Sequence, residues 1–141
     1  MKPTVVIDTN VLLSGLLWPR GNPHRCLILA KLNIIESVTC EAILSEFSEK
    51  LTGKFRFDAQ RATAAQEEWR QTSRLVSLTQ RVQVVAADPD DDQVLSCALS
   101  GGAGHIISGD HHLLALGRYG PIVIVSPAGF LAAHPWMRDT P

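Results

Sequence analysis

Five short apolar, largely β-branched runs alternate with segments patterned as helices along this chain of 141 residues, and that strict alternation leaves few folds open. Thr4-Val5-Val6-Ile7 ends at Asp8-Thr9-Asn10, as a buried parallel strand does on meeting a polar turn. Further strands are expected over 33–38, 82–86, 105–108 and 121–125. Helices are expected over 11–17, 24–31, 40–51, 58 to about 75, 93–99 and 111–116. A last helix opens with Ser126-Pro127 in the N-cap and N1 order. Alternation of this kind is most economically met by an α/β fold with a central five-stranded parallel sheet and helices on both faces. A single domain is expected over 1–133, with 134–141 a frayed tail.

The composition, 45% hydrophobic and 19% charged, suits one globular domain able to bury a core without a disulfide or zinc staple. Thirteen basic against 14 acidic residues give a formal charge of −1, so nucleic acid would not be held by bulk electrostatics and any contact must be local. Cys26, Cys40 and Cys97 lie in apolar stretches without C-x-x-C or Cys/His spacing, and read as small buried hydrophobes of a reducing compartment. Neither a signal-peptide pattern nor the roughly 20 apolar residues of a membrane helix is present. The expected location is cytoplasmic.

In open parallel sheets ligands collect beyond the carboxyl ends of the strands. Asp8 ends the first strand, Asp110 follows the fourth, and Asp88-Pro89-Asp90-Asp91-Asp92 lies between the third and its helix, so all crowd one edge. Glu46 falls between Leu44 and Phe47, at the border of the apolar stripe of its helix. Close carboxylates repel by about 4 kcal/mol per pair at an effective dielectric near 20, and they stay ionised together when a cation sits between them. Oxygen-only ligands select a hard ion, Mg²⁺ or Mn²⁺, and the chemistry natural to such a site is phosphodiester hydrolysis. Each acid also has a structural role open to it. Asp8 suits a turn, Asp88 to Asp92 a capped and solvated helix start, Asp110 an N-cap, and Glu46 an ordinary amphipathic helix face.

His111 and His112 are adjacent on a helix and are expected to point apart into solvent. Lys50, Lys54, Arg56 and Arg61, interleaved with Phe55 and Phe57, form a local basic and aromatic patch that reads first as a solvated connection and second as an RNA contact.

Together, Val6-Ile7-Asp8-Thr9-Asn10-Val11-Leu12, Ile43-Leu44-Ser45-Glu46-Phe47, Asp88-Pro89-Asp90-Asp91-Asp92 and Ile106-Ile107-Ser108-Gly109-Asp110-His111-His112 resemble the PIN-domain family, specifically its bacterial toxins of toxin–antitoxin systems. The resemblance runs from residue 4 to about 131. It implies a three-layer α/β/α fold and a Mg²⁺- or Mn²⁺-dependent ribonuclease. Carried over by position, it makes Asp8, Glu46, Asp91 and Asp110 the acidic quartet, with Asp8, Asp91 and Asp110 toward the metal and Glu46 toward the attacking water. Thr9 or Asn10 and Ser108, where relatives often carry Thr, would orient it. Within the acid run Asp91 fits the pattern best, while Asp88 and Asp92 stay open as ligands. The same resemblance implies an antitoxin partner and a homodimer.

Two rival readings stand beside it. A phosphatase with a nucleophilic Asp after the first strand needs a second acid two residues on, and Asn10 stands there. A catalytically silent PIN-like or receiver-like binding module would use the acids only as caps, and its stability would not depend on divalent ions.

Overall fold

The computed structural model describes residues 2–82 and 89–139. The elements are β1 (Thr4–Ile7), α1 (Thr9–Leu17), α2 (Asn22–Lys31), β2 (Glu36–Thr39), α3 (Glu41–Gly53), α4 (Ala59–Thr72), β3 (Arg74–Leu75), α5 (Pro89–Gly101), β4 (His105–Ile107), α6 (His111–Leu116), β5 (Arg118–Tyr119), β6 (Ile122–Val125) and α7 (Pro127–Ala133), followed by a 3-10 helix (Pro135–Asp139).

The strands form one six-stranded sheet in the order β3-β2-β1-β4-β6-β5. All neighbouring pairs are parallel except β5 with β6, a short antiparallel hairpin. β1 and β4 sit at its centre and are apolar on both faces, with Val5, Val6, Ile106 and Ile107 all fully buried. The order changes direction at β1, so the carboxyl ends of β1 and β4 flank the crevice where such sheets place ligands.

Several expectations need correction. Among the described residues the sheet has six strands rather than five: four of the expected strands, with Arg74–Leu75 as an edge strand beside β2 and Arg118–Tyr119 paired back on β6. Two-residue edge strands carry too little periodicity to be seen in a sequence. The long helix therefore stops at Thr72 instead of reaching residue 75. The strand expected over 82–86 lies, from residue 83 on, outside the described residues. The acid run is not a turn before its helix: α5 begins at Pro89, so Asp90, Asp91 and Asp92 occupy its first turn. Within the segment expected as a frayed tail, the described residues form a 3-10 helix over Pro135–Asp139, in which Met137 is fully buried and its carbonyl accepts from Arg25 Nη2 at 2.8 Å.

Close approach decides how two of the helices sit. A Cβ on Gly101, at the end of α5, would lie 2.4 Å from Val38 Cγ1 on β2, and one on Gly15 in α1 would lie 2.6 Å from Leu27 Cδ1 on α2. The three cysteines are buried free thiols, as expected. Among the described residues no helix is long and apolar enough to cross a membrane.

Candidate carboxylate site at the sheet edge

Asp8 follows the last residue of β1 and is the N-cap of α1, so the chain turns from strand to helix on this residue. Its side chain is buried, with Oδ1 accepting the Thr9 N–H at 2.7 Å and Oδ2 accepting the Ser108 hydroxyl at 2.8 Å. Burial pushes the Asp8 carboxyl above its ordinary value. The Ser108 and Thr9 donors work against that, the nearby charge of Asp110 adds to it, and Lys50 reduces it.

Ser108 follows the last residue of β4 and is fully buried; its oxygen also accepts the Asp110 N–H at 2.9 Å. Asp110 in turn caps α6, Oδ1 accepting from the N–H groups of His112 at 2.7 Å and Leu113 at 3.3 Å. One buried hydroxyl thus ties the Asp8 carboxylate to the backbone of Asp110 beyond the carboxyl ends of the central strands.

Asp91 is buried in the first turn of α5 for a reason written in its spacing. Asp91, Val94, Leu95 and Ala98 recur at i, i+3, i+4 and i+7, and all four are buried, so the acid stands at the head of the core stripe. Asp92 is partly exposed, and its carbonyl accepts from Ser96. Asp88 lies outside the described residues.

Glu46 is half-buried on α3, at the border of the stripe formed by Ile43, Leu44, Phe47 and Leu51. Its carboxyl shares a hydrogen bond with Asp90, whose carboxyl is held above the ordinary range by partial burial and then by that bond and the Glu46 charge. Two carboxylates in hydrogen-bond contact need either a shared proton or a cation between them. Asp90 belongs to the acid run 88–92 but not to the quartet that the family resemblance implies. The signal for its place was Pro89, a residue suited to N1, which would have put Asp90 in the first helical turn.

Lys50 also belongs here rather than to the outward basic patch. Its Nζ lies 3.5 Å from Glu46 Oε2, one helical turn back, and 3.3 Å from Asn10 Oδ1. Lys54 and Arg56 are exposed; Lys54 stands over the Phe55 ring at 5.5 Å, and Arg61 over Phe57 at 4.1 Å. His111 and His112 are exposed but do not point apart, their ring centroids lying 4.1 Å from each other. They and Asp110 bring one ligand atom each within 4.8 Å of one another.

The donors at this edge fit a divalent cation. Asp8 with Asp110, and Glu46 with Asp90, are pairs of carboxylates offering the oxygen ligands that Mg²⁺ and Mn²⁺ prefer, and among the described residues Asp110, His111 and His112 are the group that brings three ligand atoms within 4.8 Å. Thr9 Oγ1, next to Asp8, is a buried polar atom with no hydrogen-bond partner among the described residues.

The architecture so far defines an α/β protein with Asp8 and Asp110 just beyond the carboxyl ends of the two central strands of a mostly parallel sheet. Residues 4–112 match the family model for the PIN domain, and the chain belongs to that family. No curated protein matches it in sequence. Among solved structures it is similar to a chain in the crystal structure of VapBC2 from Rickettsia felis bound to a DNA fragment from their promoter, with TM-score 0.60 and 9% identity, covering 86% of this chain and 96% of that one. It is also similar to the RRP44 PIN domain of T. brucei, with TM-score 0.52 and 16% identity, covering 96% of this chain and 83% of that one. At such identities the likeness establishes the fold.

Proposed function

We propose that this protein is a Mg²⁺- or Mn²⁺-dependent endoribonuclease, acting as the toxin of a toxin–antitoxin pair in the cytoplasm. The observation that carries the reading is the joining of β1, α3, α5 and β4 at one edge. Asp8 and Asp110 meet through Ser108, Glu46 meets Asp90, and Lys50 spans Glu46 and Asn10. Structural caps need no such convergence, which sets this reading above a silent binding module.

In the proposed mechanism Asp8, Asp91 and Asp110 hold the ion. When bound, it lowers the pKa of water and stabilises the charge that develops on the phosphate. Ser108 and the Thr9 N–H fix both Asp8 oxygens, so the carboxylate is oriented before substrate arrives. The capping bonds to His112 and Leu113 do the same for Asp110. Glu46 is the base that takes a proton from the attacking water as its oxygen bonds to phosphorus and the ester P–O bond breaks. A solvent proton then neutralises the departing alkoxide. Exposed Lys54 and Arg56 are assigned to RNA phosphates, with Lys50 nearer the acids.

The VapBC2 likeness supports a partner that pairs with this chain, and a homodimer is assigned on the family resemblance. The test is cleavage of a structured RNA with Mn²⁺ or Mg²⁺, with EDTA, and with Asp8→Asn. Cleavage is expected only for the wild type with metal, and undiminished cleavage by Asp8→Asn ends the proposal.

A further inference from the structure

Among the acids at the sheet edge stands a cation supplied by the chain itself. Lys50 Nζ is 3.5 Å from Glu46 Oε2 and 3.3 Å from Asn10 Oδ1, and its charge bears on Asp8 and on Asp90. The two contacts tie α3 to α1, whose N-cap is Asp8, and the Lys50 charge also acts on Asp90 of α5. A Lys ammonium is a compact charge with three donors on a flexible four-carbon stem, so it can occupy such a cluster and leave it without any backbone change. Its side chain is 38% exposed, which gives it a way out to solvent.

A divalent ion entering the same cluster meets this ammonium as a like charge and needs the oxygens it faces. We propose that Lys50 is a resident counter-ion that competes with the divalent metal for these carboxylates and so sets the free metal concentration at which the site fills. The inference rests on the metal-binding part of the function proposed above, and does not require that the bound substrate be RNA. Lys50 is accordingly a positioning residue, acting through Glu46 and the metal rather than on substrate.

The test is Mn²⁺ affinity of the full chain, read by isothermal titration calorimetry at low salt, for wild type, Lys50→Met, Lys50→Arg and Lys54→Met. Lys50→Met should bind Mn²⁺ about fivefold more tightly, the size appropriate to a partly exposed, solvent-screened charge. Lys50→Arg keeps the charge and should stay close to wild type. Lys54→Met makes the same change in net charge from a position over the Phe55 ring, and should move the affinity by less than about twofold. The gap between Lys50→Met and wild type should close in 1 M salt, where the Debye length is about 3 Å. Equal affinity of Lys50→Met and wild type, or equal tightening by Lys54→Met, overturns the proposal. Mn²⁺ binding without RNA cleavage would instead remove the nuclease reading and leave the role of Lys50 standing.

Discussion

The Ser108 hydroxyl donates to Asp8 Oδ2 at 2.8 Å across 100 residues of sequence, and the same oxygen accepts the Asp110 N–H at 2.9 Å. A group of this kind uses its donor and its acceptor at once, so neither strand end can shift without leaving a buried polar atom unsatisfied. Replacing Ser108 by Ala removes both bonds. We expect a loss of about 1–3 kcal/mol in unfolding free energy by urea titration. Asp8, having lost a donor that favours its charged form, should move further up, so the pH profile of any metal-dependent activity shifts to higher pH.

Asp8 itself should make stability depend on pH. Its folded pKa is raised, chiefly by burial, above the ordinary 3.8, so between the two values the folded state binds more protons than the unfolded one. Stability from this group therefore falls as pH rises through that window. Asn offers one acceptor where Asp8 uses two, so Asp8→Asn loses a bond at every pH, but in metal-free buffer its melting temperature relative to wild type should improve as pH rises from 3.8 to neutral. A melting-temperature difference that does not change with pH would contradict this account.

Divalent ions should reverse that penalty. In the wild type, Mn²⁺ at 100 times its dissociation constant should add about 2.7 kcal/mol by mass action, and EDTA should remove it. Asp8→Asn should show little of the shift. Thermal melts with graded Mn²⁺ decide this without any substrate.

Asp90 gives a separate check on the contact with Glu46. In Asp90→Asn the amide can donate to Glu46 without a shared proton, which relieves the like-charge contact. The metal-free protein should melt slightly higher at neutral pH while its Mn²⁺ affinity weakens. Loss of stability with unchanged Mn²⁺ affinity would mean that the carboxyl serves the fold alone.

Gly101 tests how closely α5 must lie on β2. The 2.4 Å approach of a Cβ to Val38 Cγ1, on a stiff and fully buried side chain, requires something to move. Gly101→Ala should cost about 1–3 kcal/mol in unfolding free energy, the usual range for overpacking. Because α5 carries Asp90 and Asp91, Mn²⁺ affinity should weaken as well.

The sequence by itself determined the parallel α/β architecture and the edge where the acids gather. A β-branched run such as Thr4–Ile7 and a helical stripe such as Ile43, Leu44, Phe47 and Leu51 are local patterns, readable because burial imposes period 2 or 3.6 on a few neighbouring residues. Asp91 came from the family resemblance, and the structure adds that it stands at the head of the buried Val94, Leu95 and Ala98 stripe. Only the tertiary structure decided that Asp90 meets Glu46, that Lys50 turns from the basic patch into the acids, and that Arg74–Leu75 and Arg118–Tyr119 complete the sheet. Those outcomes depend on the direction of a flexible side chain or on pairing across distant segments. Neither leaves a periodic trace, because the free energy that selects each comes from partners far away along the chain.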